Sequence, residues 1–176
     1  MLASTTGDPA SEETFLGPLA DKAQTDNVLA FFEQGKKDGV EFLMGGDRHQ
    51  KGRNFIQSII MMNGSLKSST WTREMFGPTL SIRTFRIEDE AIELANDTSY
   101  DLSTCVYTSD IACALGVSAL IEVDIVAINS NYLPGYAVPF GGLKESGNEG
   151  REAGFAGLMS YMEAKTIVIN MDVGPR

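Results

Sequence analysis

The feature that most constrains this chain is the exchange, along nearly its whole length, of short β-type runs with amphipathic helical runs. The β-type runs are Glu41-Phe42-Leu43-Met44, stopped by Gly45-Gly46, then residues 55–62, rich in isoleucine, and residues 79–85, which alternate clearly. Residues 104–107 follow, and Ile125-Val126-Ala127-Ile128-Asn129 is a continuous apolar run of the kind that sheets bury on both faces. Between these runs, helical spacing takes over. After a Gly/Pro-rich lead to about Pro18, Asp21 is an N-cap for a helix carrying Val28, Leu29 and Phe32, which ends over residues 35–39. Residues 87–96 place Glu88, Asp89 and Glu90 in a first turn, where the helix dipole favours negative charge. Ser109 or Asp110 caps a helix with the stripe Ile111, Leu115, Ala119. A last helix aligns Phe155, Leu158, Met159 and Met162, and residues 166–170 form a closing strand. Strands alternating with helices predict an α/β fold, a mostly parallel sheet flanked by helices. A chain of 176 residues, 43% hydrophobic, has the material for one globular domain.

Charge and composition remove several function classes. A net charge of −10 is opposed to nucleic acid, whose affinity rests on Lys and Arg neutralising phosphates, and to anionic membrane surfaces. No apolar run approaches the roughly 18 residues that a membrane-spanning helix needs. The first residues hold no basic region and no apolar run, so no secretory signal is expected and the expected setting is cytoplasmic. One histidine, His49, and two cysteines, Cys105 and Cys113, match no standard zinc spacing and no disulfide framework.

Two stretches carry chemistry. Pro139-Phe140-Gly141-Gly142-Leu143-Lys144-Glu145-Ser146-Gly147, inside a long loop over residues 130–149, follows the buried run, and α/β sheets place their ligands beyond such strands. Its glycines permit a sharp turn or a close approach to a ligand; an ordinary strand-to-helix connection is the competing reading. In Arg73-Glu74-Met75-Phe76-Gly77-Pro78, a carboxylate beside an aromatic ring can accept ribose hydroxyl hydrogen bonds while the ring packs on an apolar face. Alone, that stretch equally describes a loop end with a solvated acid before a strand.

Together the two stretches resemble the aldehyde dehydrogenase superfamily. Glu74-Met75-Phe76-Gly77-Pro78 is similar to its Glu-x-Phe-Gly-Pro motif, and residues 139–147 to its Pro-Phe-Gly-Gly-x-Lys-x-Ser-Gly loop. Glu90-Ala91-Ile92-Glu93-Leu94-Ala95-Asn96-Asp97-Thr98 between them, and Tyr161-Met162-Glu163-Ala164-Lys165-Thr166 after them, keep the family's order. The resemblance implies the later part of the catalytic domain over residues 1–162, and an oligomerisation strand and tail over residues 163–176. It also implies NAD or NADP as cofactor, with Glu74 at the nicotinamide ribose and Phe76 beside it. Phe140 would line the aldehyde pocket, and residues 131–138 would shape its mouth. The closing strand implies a homo-oligomer or a mixed oligomer.

The family's chemistry needs a thiolate that attacks the aldehyde carbon, hydride transfer to nicotinamide, and a glutamate base for thioester hydrolysis. Its Gly-Gln-x-Cys nucleophile stretch does not occur here, nor does any Gly-x-Gly of a dinucleotide loop. Cys105 in a strand and Cys113 in a helix read as small core residues. No catalytic residue is therefore assigned, and the chain by itself is expected to be inactive. The alternative is a non-catalytic interaction module that joins full-length aldehyde dehydrogenase subunits. Three departures stand out: Asp101 and the pair Val123-Asp124 occupy positions where the family tends to glycine, and residues 146–152 run one residue longer than usual. An aspartate forced to positive φ would cost about 1 kcal/mol.

Overall fold

In a computed structural model, residues 6–49, 52, 54–131, 135–148, 150–172 and 174 are described. Contacts divide the chain into two units, Met1–Phe85 and Arg86–Arg176, a boundary that no composition shift marks.

The first unit is built on one long helix. Asp21 caps it by accepting the Gln24 amide at 2.8 Å, and α1 then runs over Lys22–Lys37. Val28, Phe31, Phe32 and Gly35 fall three and four residues apart, so they share one face and are buried together. Gly35 therefore lies inside the helix rather than at its end, where the sequence placed the stop. A Cβ there would stand 3.0 Å from Thr70 Cγ2 and 3.3 Å from the Phe42 ring, so glycine lets neighbouring segments approach closely. β1 (Glu41–Met44) pairs antiparallel with β2 (Ile59–Met62), and β2 pairs parallel with β3 (Thr79–Ile82) from Ile59↔Thr79 to Met62↔Ile82. The short helix α2 (Ser69–Thr72), which periodicity did not show, lies within the β2–β3 connection. Ile59 and Met61 point into the core with Val28, Phe31, Phe32, Val40 and Ile56. Phe32 and Phe42 meet edge to face, their centroids 6.4 Å apart.

The second unit holds α3 (Glu88–Asn96), β4 (Ser103–Val106), α4 (Ile111–Leu120), β5 (Ile125–Ile128) and α5 (Gly154–Met159). β4 and β5 pair in parallel from Ser103↔Ile125 to Val106↔Ile128. Asn96 joins the helix ends: its amide donates to the Leu120 carbonyl and its oxygen accepts the Glu122 amide, both at 2.9 Å. At the far end of the strands Asn129, at φ 52°, bonds both backbone groups of Thr108. Asp110 caps α4 as expected, accepting from Ala112 and Cys113 amides. The expected stripe is not buried, however: Ile111, Leu115 and Ala119 are exposed and Ala114 is the covered residue.

Two further expectations are corrected. The strands form two small sheets rather than one; two of the three pairings are parallel, as expected, and β1–β2 is antiparallel. Residues 166–170 are exposed, lie in no helix or strand and pair with nothing among the described residues, so the closing strand is not formed there. An isolated strand gains no ladder hydrogen bonds and no buried face, which is why residue preference alone did not make it one.

Candidate functional site

Glu74 and Phe76 follow α2 in the first unit. Met75 between them packs against the core, and Gly77 sits against Val28, where a Cβ would be 3.2 Å from the valine methyl. These inward anchors leave Glu74 and Phe76 exposed, Phe76 at 67%. Gln24 of α1 donates its side-chain amide to the Phe76 carbonyl and fixes the segment against the first turn of the helix. The Phe76 ring then forms one wall of an open hollow of about 590 Å³, shared with Leu19, Ala20, Asp21, Ala23, Gln24 and Asn27. Glu74 is not among the lining residues. An exposed aromatic face over a mixed apolar and polar hollow, with an exposed carboxylate two residues away, suits a ligand with a flat ring and a hydroxyl-bearing sugar. By chemistry and exposure, the residues present fit a nicotinamide ribose.

Phe140 lies in the second unit, half-buried, in an isolated antiparallel bridge with Glu152. Phe140 N donates to the Glu152 carbonyl at 2.9 Å and Glu152 N to the Phe140 carbonyl at 2.7 Å. The glycine-rich loop does not extend beyond the carboxyl end of β5, as its position after the strand suggested. Instead it folds back to residues just before β4 and β5. Leu143 and Lys144 amides donate to Asp101 Oδ2 at 2.7 and 2.8 Å, and the Gly141 amide donates to Asp124 Oδ2 at 3.1 Å. Part of the expected pocket mouth, residues 132–134, lies outside the described residues, as does residue 149 of the long loop.

Asp101 is 4% exposed. Burial opposes its charge, but the amide bonds from Lys144 and Leu143, together with the Lys144 and Arg151 charges, more than offset that cost. They hold its carboxyl below the ordinary 3.8. Neither Asp101 nor Asp124 adopts positive φ, so the expected backbone strain at Asp101 is absent. Sequence reasoning noted these acids only as departures from glycine. The available signal was an acceptor-only side chain coming where a loop rich in free N–H groups needs acceptors.

The cysteines carry no nucleophile geometry. Cys113 donates to Glu88 Oε2 at 3.2 Å; that bond, then burial, pushes its thiol above the ordinary 9.0 and keeps it protonated at neutral pH. Cys105 is exposed on β4, not a core residue as expected: only the alternate residues Thr104 and Val106 of that short strand are partly covered. Among the described residues no group of three or more His, Cys, Asp or Glu could hold a metal ion, and no helix is long and apolar enough to cross a membrane.

Comparison with known proteins gives a single family. The model described as "Aldehyde dehydrogenase family" matches residues 1–167. The chloroplastic betaine aldehyde dehydrogenase of Beta vulgaris is 38% identical, over 96% of this chain and 34% of its own length. The betaine aldehyde dehydrogenase of Brucella anthropi is 39% identical, over 94% of this chain and 34% of its own. Among solved structures, the NAD⁺ complex of aldehyde dehydrogenase from Bacillus cereus aligns with a TM-score of 0.89 at 34% identity, covering 96% of this chain and 34% of that one. The chain thus spans about a third of the length of the relatives it matches.

Proposed function

Because this chain belongs to the aldehyde dehydrogenase family, we propose that it forms part of an enzyme that oxidises an aldehyde with NAD or NADP as hydride acceptor. The order of its motifs, Glu74–Pro78 before residues 90–98 before residues 139–147, supports placing it in the later part of the catalytic domain. On this reading residues 1–162 belong to that domain and residues 163–176 form an oligomerisation strand and tail. The exposure of residues 166–170, with Ile167 and Ile169 each 71% exposed, supports a segment that awaits a neighbouring strand.

The observation that carries the proposal is the exposed pair at residues 74–76. Glu74 would accept hydrogen bonds from the ribose hydroxyls, which orients the ring they carry, and Phe76 would cover that end of the cofactor and exclude water. The nicotinamide supplies the hydride acceptor when bound. Phe140 would offer an apolar wall to the aldehyde. A thiolate must attack the aldehyde carbon and a carboxylate must later activate water. Cys113, protonated and tied to Glu88, does not serve as that thiolate, which supports the view that residues 1–176 alone do not turn over aldehyde.

The test has two arms. Purified chain 1–176 with NAD⁺ and an aldehyde should form no NADH, and steady NADH production proportional to chain concentration would end the claim that it is inactive alone. In the whole enzyme, Glu74→Gln should weaken NAD⁺ binding by roughly tenfold, the worth of a hydrogen bond to a charged acceptor. Unchanged affinity by calorimetry would remove Glu74 from the cofactor site.

A further inference from the structure

We propose that Asp101 and Asp124 are positioning residues that clamp the glycine-rich loop and thereby set where Phe140 stands in the aldehyde pocket. The pocket role of Phe140 rests on the reading above; the clamp itself rests on geometry. The two acids are neighbours because they precede the paired strands β4 and β5: the Asp124 amide, one residue before Ile125, donates to the carbonyl of Asp101, two residues before Ser103, at 2.8 Å.

Asp124 grips both legs of the bridge that carries Phe140. Its Oδ2 accepts from the amide of Gly141, the residue after Phe140, at 3.1 Å. Its Oδ1 meets Nε of Arg151, the residue before Glu152, also at 3.1 Å, with side chains only 12% and 22% exposed. One carboxylate thus ties together the two strands of the Phe140–Glu152 bridge. Asp101 holds the turn beyond. Its Oδ2 takes the Leu143 and Lys144 amides, and its own amide donates to Ser146 Oγ at 3.1 Å.

The glycines are fitted to the clamp. A Cβ at Gly142 would stand 2.5 Å from Asp101 Oδ1, and one at Gly147 only 1.8 Å from the Gly142 carbonyl oxygen. The turn can close on the carboxylate only with glycine at both positions. The ionised carboxylates make the bonds from the Gly141, Leu143 and Lys144 amides stronger than neutral acceptors would. The loop is therefore preorganised before a substrate arrives, and the rotation of Phe140 about its backbone is limited from both sides.

Hydrogen exchange by mass spectrometry on chain 1–176 tests the clamp. Asp124→Ala and Asp101→Ala should each speed exchange over residues 141–147 by about tenfold while the β2 amides of Ile59–Met62 keep their protection. Asp124→Asn, which keeps the shape and one acceptor, should fall between wild type and Asp124→Ala, and it serves as the readout if an alanine variant does not fold. Unchanged loop exchange in Asp124→Asn and the alanine variants would overturn the clamp. In the whole enzyme, Asp124→Asn should raise KM several-fold for bulky aldehydes, less for small ones, with kcat nearly constant. Faster loop exchange with KM unchanged for every aldehyde would overturn the positioning role. If the wild-type enzyme oxidises no aldehyde, the functional reading fails and the exchange result still decides the clamp.

Discussion

Ala153 holds φ at 55° and ψ at 170°, a region that is close to forbidden for any residue with a Cβ. The surroundings impose it. Glu152 is fixed to Phe140 on one side, and the Gly154 amide donates to the Tyr136 carbonyl at 2.8 Å on the other, so the chain must reverse between them before α5 begins. Ala153→Gly should relieve roughly 1–3 kcal/mol of strain against about 0.5–1 kcal/mol of added unfolded-chain entropy. A net gain near 1 kcal/mol should raise the thermal midpoint of the chain by ~2–4 °C in circular dichroism; an unchanged or lower midpoint would mean that Ala153 is not strained. The sequence pointed to Asp101 as the strained position, since glycine is usual there. Asp101 instead keeps an ordinary backbone and uses its side chain to bind neighbouring amides. One-letter patterns show where a residue departs from habit; they do not show whether the departure changes the backbone or adds a bond.

Most elements were legible, α2 and the closing strand excepted, and their extents were not. The Asp21 cap, the Asp110 cap and the acidic first turn of α3 all appear where side-chain chemistry placed them, because capping is decided within one turn of local sequence. Strand lengths depended on pairing: residues 55–62 contracted to Ile59–Met62, and residues 79–85 to Thr79–Ile82, the stretch over which β2 and β3 share register. The closing strand vanished for the same reason, since no partner lies beside it among the described residues. In the site, Glu74 and Phe76 were legible as a carboxylate beside an aromatic ring, while their exposure and the hollow beside Phe76 emerge only where α1 and a distant loop meet. The loop's return to Asp101 and Asp124 joins residues about forty and seventeen positions apart, which no local pattern encodes. Helix α1 offers a local test. Asp21→Ala should cost about 1 kcal/mol by exposing the Gln24 amide and removing the cap. Trp71, the one tryptophan, sits in the first unit and reports its unfolding. With a urea slope near 2 kcal/mol/M, its fluorescence midpoint should fall by about 0.5 M. A midpoint within error of wild type would show that other groups satisfy the first turn.

Across the whole molecule, the two units differ in what they bury. The first has a contiguous core of seven buried hydrophobic residues from Val28 to Met61. In the second, Ala114 is the buried hydrophobic among the described residues, while Ile111, Leu115, Leu120, Phe155 and Leu158 are each more than half exposed. A buried side chain of Val, Ile, Phe or Met stabilises by about 1.5–3 kcal/mol, so the core of the first unit supplies most of the hydrophobic stabilisation. Helix α4, Ile-Ala-Cys-Ala-Leu-Gly-Val-Ser-Ala-Leu, is apolar on every side, a composition suited to a helix covered all round. Under the proposed function, the rest of the enzyme provides that cover. Chain 1–176 alone should then show two levels of amide protection: strong over Ile59–Met62, weak over Ser103–Val106 and Ile125–Ile128. It should also bind the dye ANS without denaturant, at the apolar faces of the second unit. Equal protection in both units with no dye binding would mean that the second unit is stabilised by something other than burial, and the proposal that further polypeptide covers it would lose its physical basis.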